Sequence, residues 1–114
     1  MQYLLLIYSA EQDQTGPPEM KPWQDFNTWI EAKGWMVGGD ALQPTATATS
    51  VRNRDGKRLI TDGPFAETKE QLGGYYLINC DNLDQALEAA ARIPAADYGT
   101  VEVRPVLDLS KLMG

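Results

Sequence analysis

A missing residue type limits the chemistry open to this chain: none of its 114 residues is histidine. Ser-His-Asp and Cys-His nucleophile activation, the His-containing zinc motifs, the 2-His-1-carboxylate iron site and histidine general bases are all excluded. Carboxylates, Lys, Arg, Tyr and a single cysteine, Cys80, remain. Asp62 is the most pointed of these. It stands directly before Gly63-Pro64, so its carboxylate projects from a constrained backbone. It is either a general base, a role that requires partial burial or a nearby like charge, or a turn residue that accepts backbone N–H bonds or a bond from Thr49. Arg52 would complete an anion site if its side chain faces Asp62.

The loop that follows offers Glu67, Lys69 and Glu70. These either hold a polar ligand or form a solvated turn whose ion pairs are worth at most about 1 kcal/mol. Tyr75 and Tyr76 point to opposite faces of one strand, so only one can line a given pocket, as hydroxyl donor or as packing. Trp23, Trp29 and Trp35 are either an aromatic wall or core packing. Cys80 reads as a small buried residue, since no base neighbours it. Gly38-Gly39 and Gly73-Gly74 match no phosphate-binding spacing and are expected to be turns. No metal site and no cofactor are expected.

These residues need elements to position them. Gln2 to Tyr8 (QYLLLIY) is apolar on both alternating faces and reads as a central strand covered on both sides. Ser9 to Met20 has loop composition around Gly16-Pro17-Pro18. From Lys21 to Lys33, Trp23, Phe26 and Ile30 recur at helical spacing, with Trp29 at the edge of the stripe and Gly34 as the stop. A short strand, Trp35 to Val37, follows. The runs TATATSVRNR and KRLITD, joined by Asp55-Gly56, predict a hairpin with a type I′ turn that places Arg54 opposite Lys57, Val51 opposite Ile60 and Thr49 opposite Asp62.

Gly63 to Gly74 is a connection in which Pro64 starts a helical turn with Glu67 near its positive end. Tyr75 to Cys80 is a strand. Asn82 to Ile93 is a helix with Asn82 as N-cap, Gln85 at the capping-box position, and Leu83, Ala86, Leu87 and Ala90 as the buried stripe. Pro94 ends it. A last strand runs from Val101 to Leu109. The order predicts one α+β domain over residues 1–114, a ferredoxin-like antiparallel sheet with two helices on one face. The other face would then be open, and its large apolar groups call for a second copy packed sheet to sheet.

Sixteen acidic and ten basic residues leave a net charge of −6, a field that repels phosphate backbones and anionic lipid. No nucleic-acid or membrane partner is expected. Arg52, Arg54, Lys57 and Arg58 read as an exposed hairpin that resists edge pairing. The lone cysteine rules out an intrachain disulfide. With no signal-like N-terminus, the expected compartment is the cytoplasm.

The run Thr61-Asp62-Gly63-Pro64-Phe65-Ala66-Glu67-Thr68-Lys69-Glu70-Gln71-Leu72-Gly73-Gly74-Tyr75 resembles the signature of the YCII-related family, in the branch that carries an Asp-Gly-Pro-Phe motif. Similar segments are Tyr3 to Tyr8, Gly38 to Pro44, Ala91 to Pro94 and Val101 to Pro105, so the resemblance covers nearly the whole chain. It implies a dimeric ferredoxin-like α/β barrel. Members of the wider family have been proposed as enzymes using a His and Asp pair, and one relative is a dehydrochlorinase acting on a substituted hydroquinone. This chain supplies no His, so Asp62 is the one motif residue carried over, with carboxylate-assisted proton transfer or elimination as the implied chemistry. The branch also accompanies extracytoplasmic-function sigma factors, which implies an accessory role as the alternative. The expected ligand contacts are Arg52, Asp62, Phe65, Glu67, Lys69 and Tyr75, around a small organic molecule.

Overall fold

The structure is a computed structural model, and it describes residues 1–11, 20–66 and 68–113. In chain order the elements are β1 (Gln2–Ser9), α1 (Met20–Lys33), β2 (Met36–Ala41), β3 (Thr49–Arg54), β4 (Lys57–Asp62), β5 (Gln71–Asn79), α2 (Leu83–Arg92), β6 (Thr100–Pro105) and α3 (Leu109–Met113). Four strands form one sheet in the order β2-β5-β1-β6, all neighbours antiparallel. With α1 between β1 and β2, and α2 between β5 and β6, this α+β arrangement is compatible with a ferredoxin-like fold. β3 and β4 pair only with each other, as a separate two-stranded sheet.

Strand alternation decides which side of β1 is core. Tyr3, Leu5, Ile7 and Ser9 are buried, whereas Leu4, Leu6 and Tyr8 are half-buried. The buried set packs with Ile78 of β5, Phe26 and Ile30 of α1, and Ala86, Ala89 and Ala90 of α2. β1 is therefore central, and among the described residues the helices that pack against it, α1 and α2, lie on one of its sides only. Among the described residues no helix is long and apolar enough to cross a membrane.

Local chemistry accounts for the helix ends. α1 stops at Gly34, which takes φ +74° and donates its N–H to the Glu31 carbonyl. At α2 the Asn82 side chain accepts from the Gln85 N–H at 3.0 Å, and the Gln85 side chain accepts from the Asp81 N–H at 2.8 Å. The buried stripe of α2 differs from the expected one. Ala86, Ala89 and Ala90 face the sheet, while Leu83 and Leu87 are exposed. Small side chains let this helix sit close to the strands, and that turns the leucines outward.

The hairpin has the expected register, with Arg54 opposite Lys57, Val51 opposite Ile60 and Thr49 opposite Asp62. Asp55 and Gly56 both take positive φ, 51° and 76°, as a type I′ turn requires. Its first strand begins at Thr49 rather than Thr45. Thr45–Thr47 is instead a 3₁₀ turn, because the N–H and hydroxyl of Thr45 bind the Glu11 carboxylate and the Thr47 hydroxyl binds the Pro44 carbonyl.

Other expected boundaries move. Gly38-Gly39 and Gly73-Gly74 are not turns but lie inside β2 and β5. A Cβ on Gly39 would sit 2.6 Å from the Tyr75 carbonyl oxygen and 2.9 Å from the Tyr76 ring, so a missing side chain is what lets β2 dock there. The helical turn expected after Pro64 is absent among the described residues 64–66 and 68–70. The last strand ends at Pro105, which has no N–H to continue a ladder; Leu109 belongs to α3. Most of the loop expected from Ser9 to Met20 lies outside the described residues.

Candidate functional site

The residues expected to hold a ligand divide into two groups. Arg52, Asp62 and Phe65 belong to the hairpin and its base, and all three are exposed. Register puts Asp62 on the face of Thr49 and Ile60, while Arg52 shares the opposite face with Leu59. Arg52 therefore does not face Asp62 and forms no anion site with it in a single chain. It lies over the Phe65 ring instead, 5.4 Å from the centroid. Lys69 is exposed and Glu67 lies outside the described residues. Among the described residues of the set, Tyr75 alone lies on the main sheet.

The tryptophans do not form a free wall. Trp29 meets Trp35 edge-on at 5.8 Å, Arg92 covers Trp29 at 4.2 Å, and Lys33 lies over both rings. All three tryptophans pack against the core. Tyr76 points to the helix side, where its hydroxyl donates to Asn27 at 3.1 Å and burial pushes its pKa up. Cys80 is buried, donates its thiol to the Asn82 carbonyl at 3.5 Å, and has a raised pKa because burial disfavours the thiolate.

The open sheet face gathers more chemistry than the Asp62 loop. Register aligns Asp40 of β2, Tyr75 of β5, Leu6 of β1 and Glu102 of β6 in one row across the sheet. The next row holds Gly38, Leu77, Leu4 and Arg104. At about 4.8 Å between strands, three spacings separate the ends of a row by roughly 14 Å, wide enough for a small ring. The floor is apolar at its centre and carries a carboxylate at each end. Glu102 is paired with Arg104. Asp40 accepts the Tyr75 hydroxyl at 2.8 Å.

That bond, then the charge of Asp40, and last some desolvation hold the Tyr75 phenol above its ordinary pKa of 10.0. Tyr75 thus stays protonated and keeps the carboxylate oriented. The remaining lone pairs of Asp40 are free to accept a proton or a hydroxyl from a bound molecule. Asp40 was not among the residues expected from sequence. Its only local signal is a carboxylate in the extended run after Gly38-Gly39, and nothing in the sequence pairs it with a residue 35 positions away.

Two clefts border this region. One, of about 190 Å³, is lined by Ser9, Glu11, Leu42, Gln43, Pro44, Gln71 and Gly73; its carboxylate, Glu11, is already bound to Thr45. The second is an open groove at the end of the sheet formed by Tyr8, Thr68, Glu70, Thr100 and Glu102. Asp62 lines neither. Among the described residues no three His, Cys, Asp or Glu side chains converge as a metal-binding group.

Comparison with known proteins agrees with the family resemblance of the sequence. An uncharacterised protein of Rhizobium meliloti (strain 1021) is 49% identical over 101 residues, which are 87% of this chain and 79% of the relative. The model of the YCII-related domain matches residues 1–110. With that match over nearly its full length, the chain belongs to the YCII-related family.

Proposed function

We propose that this protein binds a small organic molecule against the open face of its sheet, closed from above by a second copy in a dimeric ferredoxin-like barrel. The observation that carries the reading is the Tyr75–Asp40 pair, a hydroxyl bound to a carboxylate at 2.8 Å beside the apolar strip of Leu4, Leu6 and Leu77. An apolar floor with few, fixed polar groups is the usual construction of a small-molecule site. The ligand chemistry it suits is a ring or short chain bearing a hydroxyl, enol or phenol that can donate to Asp40.

If the protein is an enzyme, carboxylate-assisted proton transfer is the step this pair favours, with Asp40 as acceptor and Tyr75 holding it in place. Asp62 contributes only where a second copy brings the hairpin over the sheet. The accessory role beside a sigma factor, as in the Asp-Gly-Pro-Phe branch, is the alternative.

A thermal-shift and calorimetric screen of phenols, hydroquinones and small enolisable acids tests the reading. At a free ligand concentration of a hundred dissociation constants, binding stabilises by about 2.7 kcal/mol, readily seen as a rise in Tm. Asp40→Asn and Tyr75→Phe reduce that rise while leaving the unliganded protein folded. A panel in which no compound raises Tm, or a bound compound indifferent to both substitutions, refutes the site and leaves the accessory role.

A further inference from the structure

The hairpin of β3 and β4 departs from the body of the fold. Every side chain from Val51 to Asp62 is exposed, with Ile60 63% exposed, and Phe65 at the base reaches 78%. A two-stranded ribbon standing alone in water is marginally stable. One face of this ribbon carries Arg52, Arg54, Lys57 and Leu59, with Phe65 against Arg52. It is amphipathic, with three cations and two large apolar groups.

Charge indicates what that face fits. Four cations and two carboxylates leave residues 49–62 at +2, so the remainder of a chain at −6 carries −8. Among the described residues the ion pairs are Lys21–Asp25, Arg92–Glu88 and Arg104–Glu102, all within the body. None involves a cation of the arm. On the body, Glu70 has a hydroxyl partner, Thr100, at 2.9 Å but no cation, and with Glu102 and Tyr8 it lines the groove on the open face. The arm is thus complementary to the body of its own chain, yet among the described residues it makes no ion pair with it.

Surface area gives an independent reason. The chain exposes 8306 Å², about 2,100 Å² more than the roughly 6,200 Å² of a compact monomer of its 12.6 kDa mass. A stable pair needs to bury only about 800 Å² per partner. The radius of gyration, 16.4 Å, likewise exceeds the about 13.3 Å of a compact chain of this length.

We propose that the β3–β4 arm is a clasp for a second copy of this chain, seating Arg52, Leu59 and Phe65 on the acidic rim around the partner's Glu70, so that each sheet-face site is completed by groups from the other chain. This rests on the paired arrangement proposed above. It gives Arg52 and Phe65, which lie apart from Tyr75 in one chain, a place beside the partner's sheet-face site, while Asp62 stays on the other face of the arm. Nucleic acid would satisfy the cations but not Leu59 and Phe65, and the charge of −8 beside the arm repels it.

The test is the dimer dissociation constant of the full chain, from sedimentation over a dilution series at low and at high salt. Arg52→Glu weakens the dimer about tenfold at low salt and less at high salt, as screening of a rim charge requires. Leu59→Ser weakens it by about tenfold at both, because its effect is burial rather than charge. Adding Glu70→Arg to Arg52→Glu recovers most of the loss. Every residue of the arm from Val51 to Asp62 is exposed, so the circular dichroism of these variants stays close to wild type.

Leu6→Asp, on the sheet face, separates the two ideas. If it dissociates the dimer while the arm variants match wild type, the clasp is overturned and the sheet-face pairing stands. If the arm variants dissociate and Leu6→Asp does not, the clasp stands and the sheet-face pairing fails. A monomeric wild type overturns both. Arm variants that leave the dimer intact but abolish binding to a short DNA duplex also overturn the clasp.

Discussion

Replacing Leu6 by Asp asks most directly whether water belongs on the open sheet face. Leu6 lies at the centre of that face, between Tyr75 and Glu102, and is half-buried in one protomer. Completing its burial contributes about half of the 1.5–3 kcal/mol that a fully buried leucine provides, or roughly 1 kcal/mol. An aspartate there must also bring a charge out of water next to Glu102, whose own cation, Arg104, is already engaged. Even a partly solvated carboxylate adds at least about 1 kcal/mol, and a dry one several. A two-fold pair counts each change twice, so the loss is at least about 4 kcal/mol, near a thousandfold in dissociation constant. Sedimentation velocity across micromolar concentrations should show the wild type as a dimer and the variant as a monomer, with unchanged circular dichroism because the site is outside the core. A variant that stays dimeric at wild-type concentrations refutes the argument, since burying an unpaired carboxylate in each copy costs several kcal/mol.

Further outcomes follow from the same geometry. Ile30→Ala removes a fully buried side chain between α1 and the sheet and should cost about 2–5 kcal/mol in chemical denaturation, with the slope unchanged. Gly39→Ala places a Cβ against the Tyr75 carbonyl and the Tyr76 ring; the strand must shift, with a stability loss of about 1–3 kcal/mol and weaker ligand binding, because Asp40 moves with it. The pH dependence of Tyr75 has a definite sign. Its folded pKa is raised above 10.0 by Asp40, so its contribution to stability is complete below pH 10 and lost as pH rises through the folded value. Phenolate absorbance of wild type minus Tyr75→Phe should therefore show a step above pH 10 that Asp40→Asn returns toward 10.0; a step already at the ordinary value would disprove the pairing.

What could be read locally is what local chemistry controls. The hairpin register follows from Asp55-Gly56, since two residues at positive φ admit one pairing and Val51 then meets Ile60. The caps of α2, the glycine stop of α1, and the opposite facing of Tyr75 and Tyr76 are decided within a few residues. The boundaries that moved are those where a distant strand overrides local preference. Gly38-Gly39 has turn composition, but the close approach of the Tyr76 ring makes it strand. Leu83 and Leu87 suit a buried stripe, but only the alanine face of α2 fits against the sheet.

Residue types and their short-range patterns specify the absence of histidine chemistry, the YCII resemblance, the helices α1 and α2 and the alternation that leaves a sheet face apolar. Long-range packing is what brings Asp40 to Tyr75, turns Arg52 away from Asp62, and leaves the hairpin as its own two-stranded sheet. The two differ in range along the chain. Helix caps, turns and strand alternation are set by neighbours along the chain, whereas a carboxylate and a phenol 35 residues apart meet only after β2 and β5 have found their register.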